Sequence, residues 1–263
     1  MGIARRFINF NVKICRWIDG FLPIALRRDG NEYFLSQVLP GAFSDGSLIY
    51  DLGGGSEPCI RLEDKMRMNL KIVGIDISAD ELAAAPSGIY DETIAADLCQ
   101  YTGRGDADSV VCQATLEHVY DTAKAIRGIA SVVRPGGRVF IFAPCRNALF
   151  ARINLVLPES IKKRILFAIF PKKGEGHDGF RAYYDKCVPS LIEKLALQNG
   201  LSVEERKVFW ISSYFSFFVP FYILWRGWQL VAFALLGKDA GETFAYVLRR
   251  NLGGGAGARQ GSV

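Results

Sequence analysis

The sequence predicts an α/β fold: a seven-stranded, doubly wound sheet with an N-terminal helical cap and a hydrophobic insert between the last two strands. Three observations carry this. Leu48-Ile49-Tyr50-Asp51-Leu52 is a short apolar run that reaches a carboxylate and passes straight into Gly53-Gly54-Gly55. Ile72-Val73-Gly74-Ile75-Asp76 repeats the pattern, its acid lying 25 residues after the first. Further apolar runs then alternate with helix-period segments, the order from which parallel sheets are wound.

The elements follow in chain order. Residues 3–22 suggest an amphipathic helix, because Ile3, Phe7, Phe10, Ile14, Trp17 and Phe21 recur at steps of three or four. Arg5, Arg6, Lys13 and Arg16 lie mostly off that stripe. Two placements suit such a helix: its apolar face packs on the domain, or the helix lies on lipid. The first strand covers 48–52, and Pro58 marks the expected opening of the next helix. Residues 72–78, 93–98 and 108–113 read as strands two to four, the third again reaching an acid at Asp97. Thr115-Leu116-Glu117-His118-Val119 leads to a helix that ends at Val133-Arg134, where Pro135-Gly136-Gly137 breaks it before a fifth strand over 138–144. Lys162-Lys163-Arg164 and Lys172-Lys173 form a basic cluster around an apolar segment, a solvated face or a meeting point for lipid phosphates. A glycine-rich loop around His177 precedes a helix over 188–199, capped by Gly200, and strands at 201–209 and 243–249 complete the sheet. The expected organisation is a cap over 1–44, a catalytic domain over 45–250 and a disordered glycine-rich tail over 251–263.

Between the last two strands, residues 209–238 carry almost no charge. Arg226 is the one interruption of a long apolar, aromatic run, and Pro220 supplies an expected bend. By length this is a transmembrane candidate. A single crossing would strand two paired β-strands on opposite sides of a bilayer, and the segment is too short for two full legs. It is therefore expected to dip into one leaflet, lie in the interface, or fold back as a lid.

Charge selects the ligand. A pyrophosphate needs backbone N–H groups with no anion beside them. Asp51 at a strand end would repel it, and would attract the ammonium of a methionyl group near a sulfonium. Gly53-x-Gly55 opens like a dinucleotide turn, but Pro58 occupies the place of the last glycine. Asp76 is placed to accept from both ribose hydroxyls. Asp97 is placed to accept from an adenine amino group, with Leu98 against the ring. The pattern favours S-adenosylmethionine over a dinucleotide.

The D-x-G-G-G turn, Gly74-Ile75-Asp76, Ala96-Asp97-Leu98, Leu116-Glu117-His118-Val119 and Arg134-Pro135-Gly136-Gly137 occur in that order from residue 48 to 144. Together they resemble a class I methyltransferase of the type 11 kind. The resemblance implies a Rossmann-like sheet and methyl transfer from S-adenosylmethionine. It implies that Asp51, Gly53 and Gly55 line the methionine end, that Asp76 and Ile77 meet ribose and adenine, and that Asp97 and Leu98 meet the base. Gln113, closing the fourth strand, joins the cofactor-binding set. Two departures stand out: Glu57 and Pro58 replace the small residues that usually close the glycine turn. Some relatives bind a divalent ion with the L-E-H-V segment and an upstream carboxylate; that position is Ala114 here, so no metal is expected.

Candidate proton acceptors for an oxygen acceptor are the two histidines, His118 after the fourth strand and His177 in the loop. The net charge of +5 suits an anionic membrane surface, while no zinc spacing or aromatic RNA-binding motif points to nucleic acid. Six scattered cysteines without C-x-x-C read as reduced thiols, and no secretory signal opens the chain. The expectation is a cytoplasmic enzyme, peripheral or monotopic on the membrane, methylating a small apolar or lipid-linked acceptor. Two alternatives remain open at this point, a nucleotide-binding oxidoreductase and a membrane-associated interaction protein on the same fold.

Overall fold

Side chains on successive strand residues face opposite sides of a sheet, and the sequence uses that period to build two cores. Tyr50, Leu52, Val73, Ile75, Val110, Cys112, Val139, Ile141, Phe244 and Tyr246 share one core. Ile49, Ile72, Val111, Phe140, Phe142, Ala245 and Val247 share the other. Both faces of the central strands are covered, which is why these strands read as near-continuous apolar runs.

The computed structural model describes residues 3–158 and 180–252. Its strands are β1 (Leu48–Leu52), β2 (Lys71–Asp76), β3 (Glu92–Ala95), β4 (Ala107–Gln113), β5 (Val133–Pro144), β6 (Leu201–Phe209) and β7 (Thr243–Arg250). They form one seven-stranded sheet in the order β3-β2-β1-β4-β5-β7-β6. β7 pairs antiparallel with both β5 and β6, and the β1–β2, β1–β4, β2–β3 and β4–β5 pairs are parallel. This is the predicted Rossmann-like, doubly wound arrangement. Chain order reverses between β1 and β4, so the crevice at their carboxyl ends is where such a sheet receives a ligand.

The helices are α1 (Ile3–Asp19), α2 (Ile24–Arg27), α3 (Gly30–Tyr33), α4 (Leu62–Arg67), α5 (Ala79–Ala83), α6 (Thr122–Val132), α7 (Leu149–Val156), α8 (Pro189–Gln198) and α9 (Val219–Leu236). Ser78 and Asp121 cap α5 and α6 by accepting from Glu81 N and Lys124 N, at 3.2 and 3.1 Å. Pro189 opens α8 in its first turn, where a missing N–H costs nothing.

Several expectations need correction. Pro58 does not open a helix: α4 begins at Leu62, because the Cys59 N–H turns inward to Asp51 Oδ2 at 3.3 Å. β3 stops at Ala95, which leaves Asp97 two residues beyond the strand. Arg134-Pro135-Gly136-Gly137 does not separate helix from strand but lies within β5, where the pairing with β4 shifts register between Ala107 and Ser109. Pro220 makes no bend inside the insert; it sits in the first turn of α9. The basic cluster, His177 and the tail from residue 253 lie outside the described residues.

α1 packs against α9 through its polar side. Four residues of its stripe, Phe7, Phe10, Trp17 and Phe21, are exposed, and the residues it buries are Asn11, Cys15 and Asp19.

Candidate active site

Asp51 stands at the end of β1, 1% exposed, beside the crevice. Its Oδ2 accepts from Cys59 N and lies 3.3 Å from the Tyr90 hydroxyl. Burial raises its pKa to about 6, against the lowering effect of those hydrogen bonds. The chain leaves β1 through Gly53 at φ +76° and Gly55 at φ +46°, the left-handed region that disfavours a side chain. A Cβ on Gly53 would stand 2.3 Å from Thr115, and one on Gly54 would stand 2.4 Å from Asp51 Oδ2. The three glycines thus let the turn close directly over the acid.

Asp76 ends β2 and is buried; its Oδ1 accepts from Ser78 N at 2.9 Å. Desolvation raises its pKa too, aided by the nearby Glu81 carboxylate. A Cβ on Gly55 would lie 3.2 Å from Asp76 Oδ2, so the glycine turn runs between the two acids. Ile77, next along, is exposed at this edge. Asp97 Oδ1 accepts from Cys99 N at 2.8 Å and its Oδ2 from Gln100 Nε2 at 3.0 Å. Leu98 belongs to the core against α6, where Gly128 leaves room for its backbone. Gln113, at the tip of β4, donates through Nε2 to Asn31 Oδ1 at 2.6 Å, which ties α3 to the edge of the crevice. Thr115 bridges the two strands that form the crevice, its hydroxyl 3.0 Å from both Leu52 O and Gln113 O.

The comparisons with known proteins agree with this geometry. Residues 50–141 match the family described as a methyltransferase domain. A ubiquinone biosynthesis O-methyltransferase of Aeromonas salmonicida is 31% identical over 189 residues, covering 68% of this chain and 76% of that protein. The chain belongs to the S-adenosylmethionine-dependent methyltransferases. A ubiquinone biosynthesis O-methyltransferase of Thiobacillus denitrificans is 27% identical, with 77% and 84% covered. Among solved structures, a methyltransferase of Methanosarcina mazei superposes with TM-score 0.51 at 17% identity, over 82% of this chain and 98% of that one. The Haemonchus contortus phosphoethanolamine N-methyltransferase 2, solved with S-adenosyl-L-methionine, gives 0.52 at 18%, over 95% and 60%. Membership removes the two open alternatives: the chain is a methyltransferase that uses S-adenosylmethionine.

The residues present suit that donor. Two buried acids, both shifted toward protonation by burial, face a glycine turn too tight for side chains. A cationic ligand beside Asp51 favours the ionised carboxylate that burial disfavours.

Beyond β4 lies a 3-10 turn, Leu116–His118. His118 Nδ1 lies 3.2 Å from Arg181 O. A carbonyl only accepts, so Nδ1 bears the proton and Nε2 keeps its lone pair. Burial lowers the His118 pKa, which holds the ring neutral near pH 7. Glu117 beside it is buried; its Oε1 is 3.9 Å from His118 Nε2 and its Oε2 has no hydrogen-bond partner among the described residues. Burial pushes the Glu117 carboxyl up to about 8. Its backbone oxygen accepts from Tyr183 N and Tyr184 N at 2.7 and 2.9 Å, docking the chain after residue 179 on this turn.

Tyr90 and Thr115 were not singled out as site residues from the sequence. One trace of Tyr90 was available: a Cβ on Gly74 would stand 2.9 Å from the Tyr90 ring, so the glycine of Gly74-Ile75-Asp76 makes room for it. Among the described residues no group of three or more His, Cys, Asp or Glu is placed to hold a metal ion.

Proposed function

We propose that this enzyme methylates an oxygen of an apolar or lipid-linked acceptor at a membrane surface, on the cytoplasmic side. One observation carries the reading. The acids and His118 lie at the same sheet edge from which α9 leaves β6, and α9 exposes Leu224, Trp228, Leu230 and Leu235 there. An apolar acceptor held by such a helix enters beside the donor. Relatives named as ubiquinone biosynthesis O-methyltransferases, at 31% identity in one case, support an oxygen acceptor of apolar character. All six cysteines are free thiols and five are buried, which suits a reducing compartment.

The donor supplies an electrophilic methyl on a sulfonium. Asp51 and the glycine turn hold its methionine end, Asp76 and Ile77 its ribose and adenine, and Asp97 its base. His118 takes the acceptor proton on Nε2 as the acceptor oxygen bonds the methyl carbon. The carbon–sulfur bond breaks with its electron pair left on sulfur. Proton transfer of this kind contributes about 10²–10⁴-fold. His177 is the second candidate for the same role.

The test uses methyl-labelled S-adenosylmethionine with a lipid extract of the native cell. The expected product is an organic-soluble methyl ether, formed about 10²-fold more slowly by His118→Gln with donor affinity unchanged. Label confined to water-soluble products would overturn the apolar acceptor. A normal rate in both His118→Gln and His177→Gln would remove histidine from proton transfer.

A further inference from the structure

α1 and α9 are packed inside out. On α1 the residues turned inward are Asn11, Cys15 and Asp19, spaced four apart, and those turned outward include Phe7, Phe10 and Trp17, with Phe21 exposed just beyond its end. On α9 the inward residues are Tyr222, Trp225, Gln229 and Ala232, and the outward ones include Leu224, Leu230 and Leu235, the last 75% exposed. Arg226, the one charge in an otherwise apolar run, points in. Its Nη2 donates to Asp19 Oδ1 at 2.7 Å, its Nε to the Tyr222 hydroxyl at 3.1 Å, and its Nη1 to Trp210 O and Gln229 Oε1 at 2.8 Å. The Tyr222 hydroxyl also donates to Asp19. Asn11 Oδ1 accepts from Val219 N at 3.0 Å, so α1 caps α9. Gln229 Nε2 and the Trp225 indole N–H both donate to Glu242 Oε1, at 3.1 and 3.0 Å, which joins this network to the start of β7.

A helix pair in water buries its leucines and exposes its arginine. This pair does the reverse, which a hydrocarbon environment favours, since polar groups there must be satisfied internally. The insert's two ends are joined by a hydrogen bond from Glu242 N to Phe209 O of 2.8 Å. Although Val219–Ala240 is long and apolar enough to cross a membrane, that closure excludes a single crossing. α1 returns to the same edge through Gly30, where an added Cβ would stand 2.4 Å from Thr243 Oγ1 and 2.7 Å from Phe209. Arg5, Arg6, Lys13, Arg16, Arg27 and Arg28 are all exposed on this segment, and the acid of α1, Asp19, is turned inward.

We propose that α1 and α9, locked by the Asp19–Arg226 pair, form one preassembled anchor that lies in a single leaflet and selects anionic headgroups. This deepens the membrane-surface reading and rests on it. The anionic leaflet is the occupant because the aromatic and aliphatic face is flanked by cations. A two-fold contact between copies would instead bring these cations against one another.

The experiment floats the full chain with phosphatidylcholine vesicles, with and without phosphatidylglycerol, and records the mass of the vesicle-free protein. The expected result is at least tenfold tighter binding to the anionic vesicles, weakened by salt. Replacing Arg5, Arg6, Lys13 and Arg16 by Glu is expected to abolish that preference. Leu224→Gln with Leu235→Gln is expected to abolish flotation, and calorimetric donor binding in each variant confirms the fold. Binding that ignores the α1 charges would overturn this anchor and leave membrane docking through α9 standing. A stable dimer that ignores vesicles would assign the face to a second copy and overturn both. Methyl transfer to an apolar acceptor is scored separately and survives either outcome.

Discussion

Asp51 shows how much one residue can set. Two partners hold it: a backbone amide freed by delaying α4, and a tyrosine hydroxyl admitted by the absence of a side chain at Gly74. In the proposed binding mode its pKa of about 6 makes donor binding pH-dependent. The cationic donor selects the ionised carboxylate, so affinity is full above pH 7 and falls as pH drops through about 6. Between pH 7 and pH 5 the dissociation constant of S-adenosylmethionine is predicted to rise about tenfold, measurable by calorimetry. Glu117 and Glu242 act on stability in the opposite direction from an ordinary paired carboxylate. Burial raises them from 4.5 to about 8 and about 7. A group whose folded pKa exceeds its unfolded one stabilises the fold fully below the unfolded value and loses that contribution as pH rises through the folded value. The melting temperature of the free enzyme is therefore predicted to fall between pH 6 and pH 9. Glu117→Gln and Glu242→Gln should each flatten that fall; an unchanged slope would mean these carboxyls ionise freely in the folded state.

At the scale of elements, strands and helices differ in what the sequence could say about them. β1, β2 and β4 were legible because their apolar runs end at polar residues and their period of two leaves no other packing. α8 was legible through Val188-Pro189 at its start and Gly200 after its end. The opening of α4 was not, because Pro58 is a local signal and the bond from Cys59 N to Asp51 is a tertiary one. α1 was read correctly as a helix with an apolar stripe, yet the stripe does not say which face is buried. That depends on Asp19 meeting Arg226 across 207 residues, a pairing no local pattern encodes. The same pair yields an energetic prediction. Arg226→Met strands Asp19 in a buried position, and such an unpaired charge costs about 3–5 kcal/mol. Asp19→Asn added to Arg226→Met should recover part of that loss in urea unfolding; no recovery would show that Arg226 stabilises through its contacts with Trp210, Tyr222 and Gln229 instead. Gly53→Ala should also destabilise, by about 1–3 kcal/mol, since φ +76° and the Thr115 side chain both oppose a methyl there.

For the whole molecule, the sheet and its ligand edge followed from strand order, and the donor from the sign of the charges that meet at that edge. Leu98 and Gln113 show where that reasoning thins. Leu98 was expected against the adenine ring and Gln113 in the cofactor-binding set at the end of the fourth strand; the structure packs the first in the core against α6 and engages the second with Asn31. Glu117 was visible only as part of a motif; its burial comes with the chain that folds back over it at Tyr183 and Tyr184, and its Oε2 has no hydrogen-bond partner among the described residues. α9 and the crevice share one edge because β6 and β7 deliver α9 to the carboxyl side of the sheet. The hub of the helix pair, Arg226, is the same residue that interrupts the apolar run in the sequence. Its inward direction is the observation on which the proposed lipid-facing role of α9 rests.

The most direct measurement is calorimetric titration of S-adenosylmethionine into the full chain and into Asp51→Asn at pH 7.5. The acid-lined crevice predicts one site per chain in the native protein and binding weakened about tenfold or more by loss of this charge-assisted contact. Equal affinity in the two proteins, or no binding to either, would contradict a donor held by the carboxylate that ends β1.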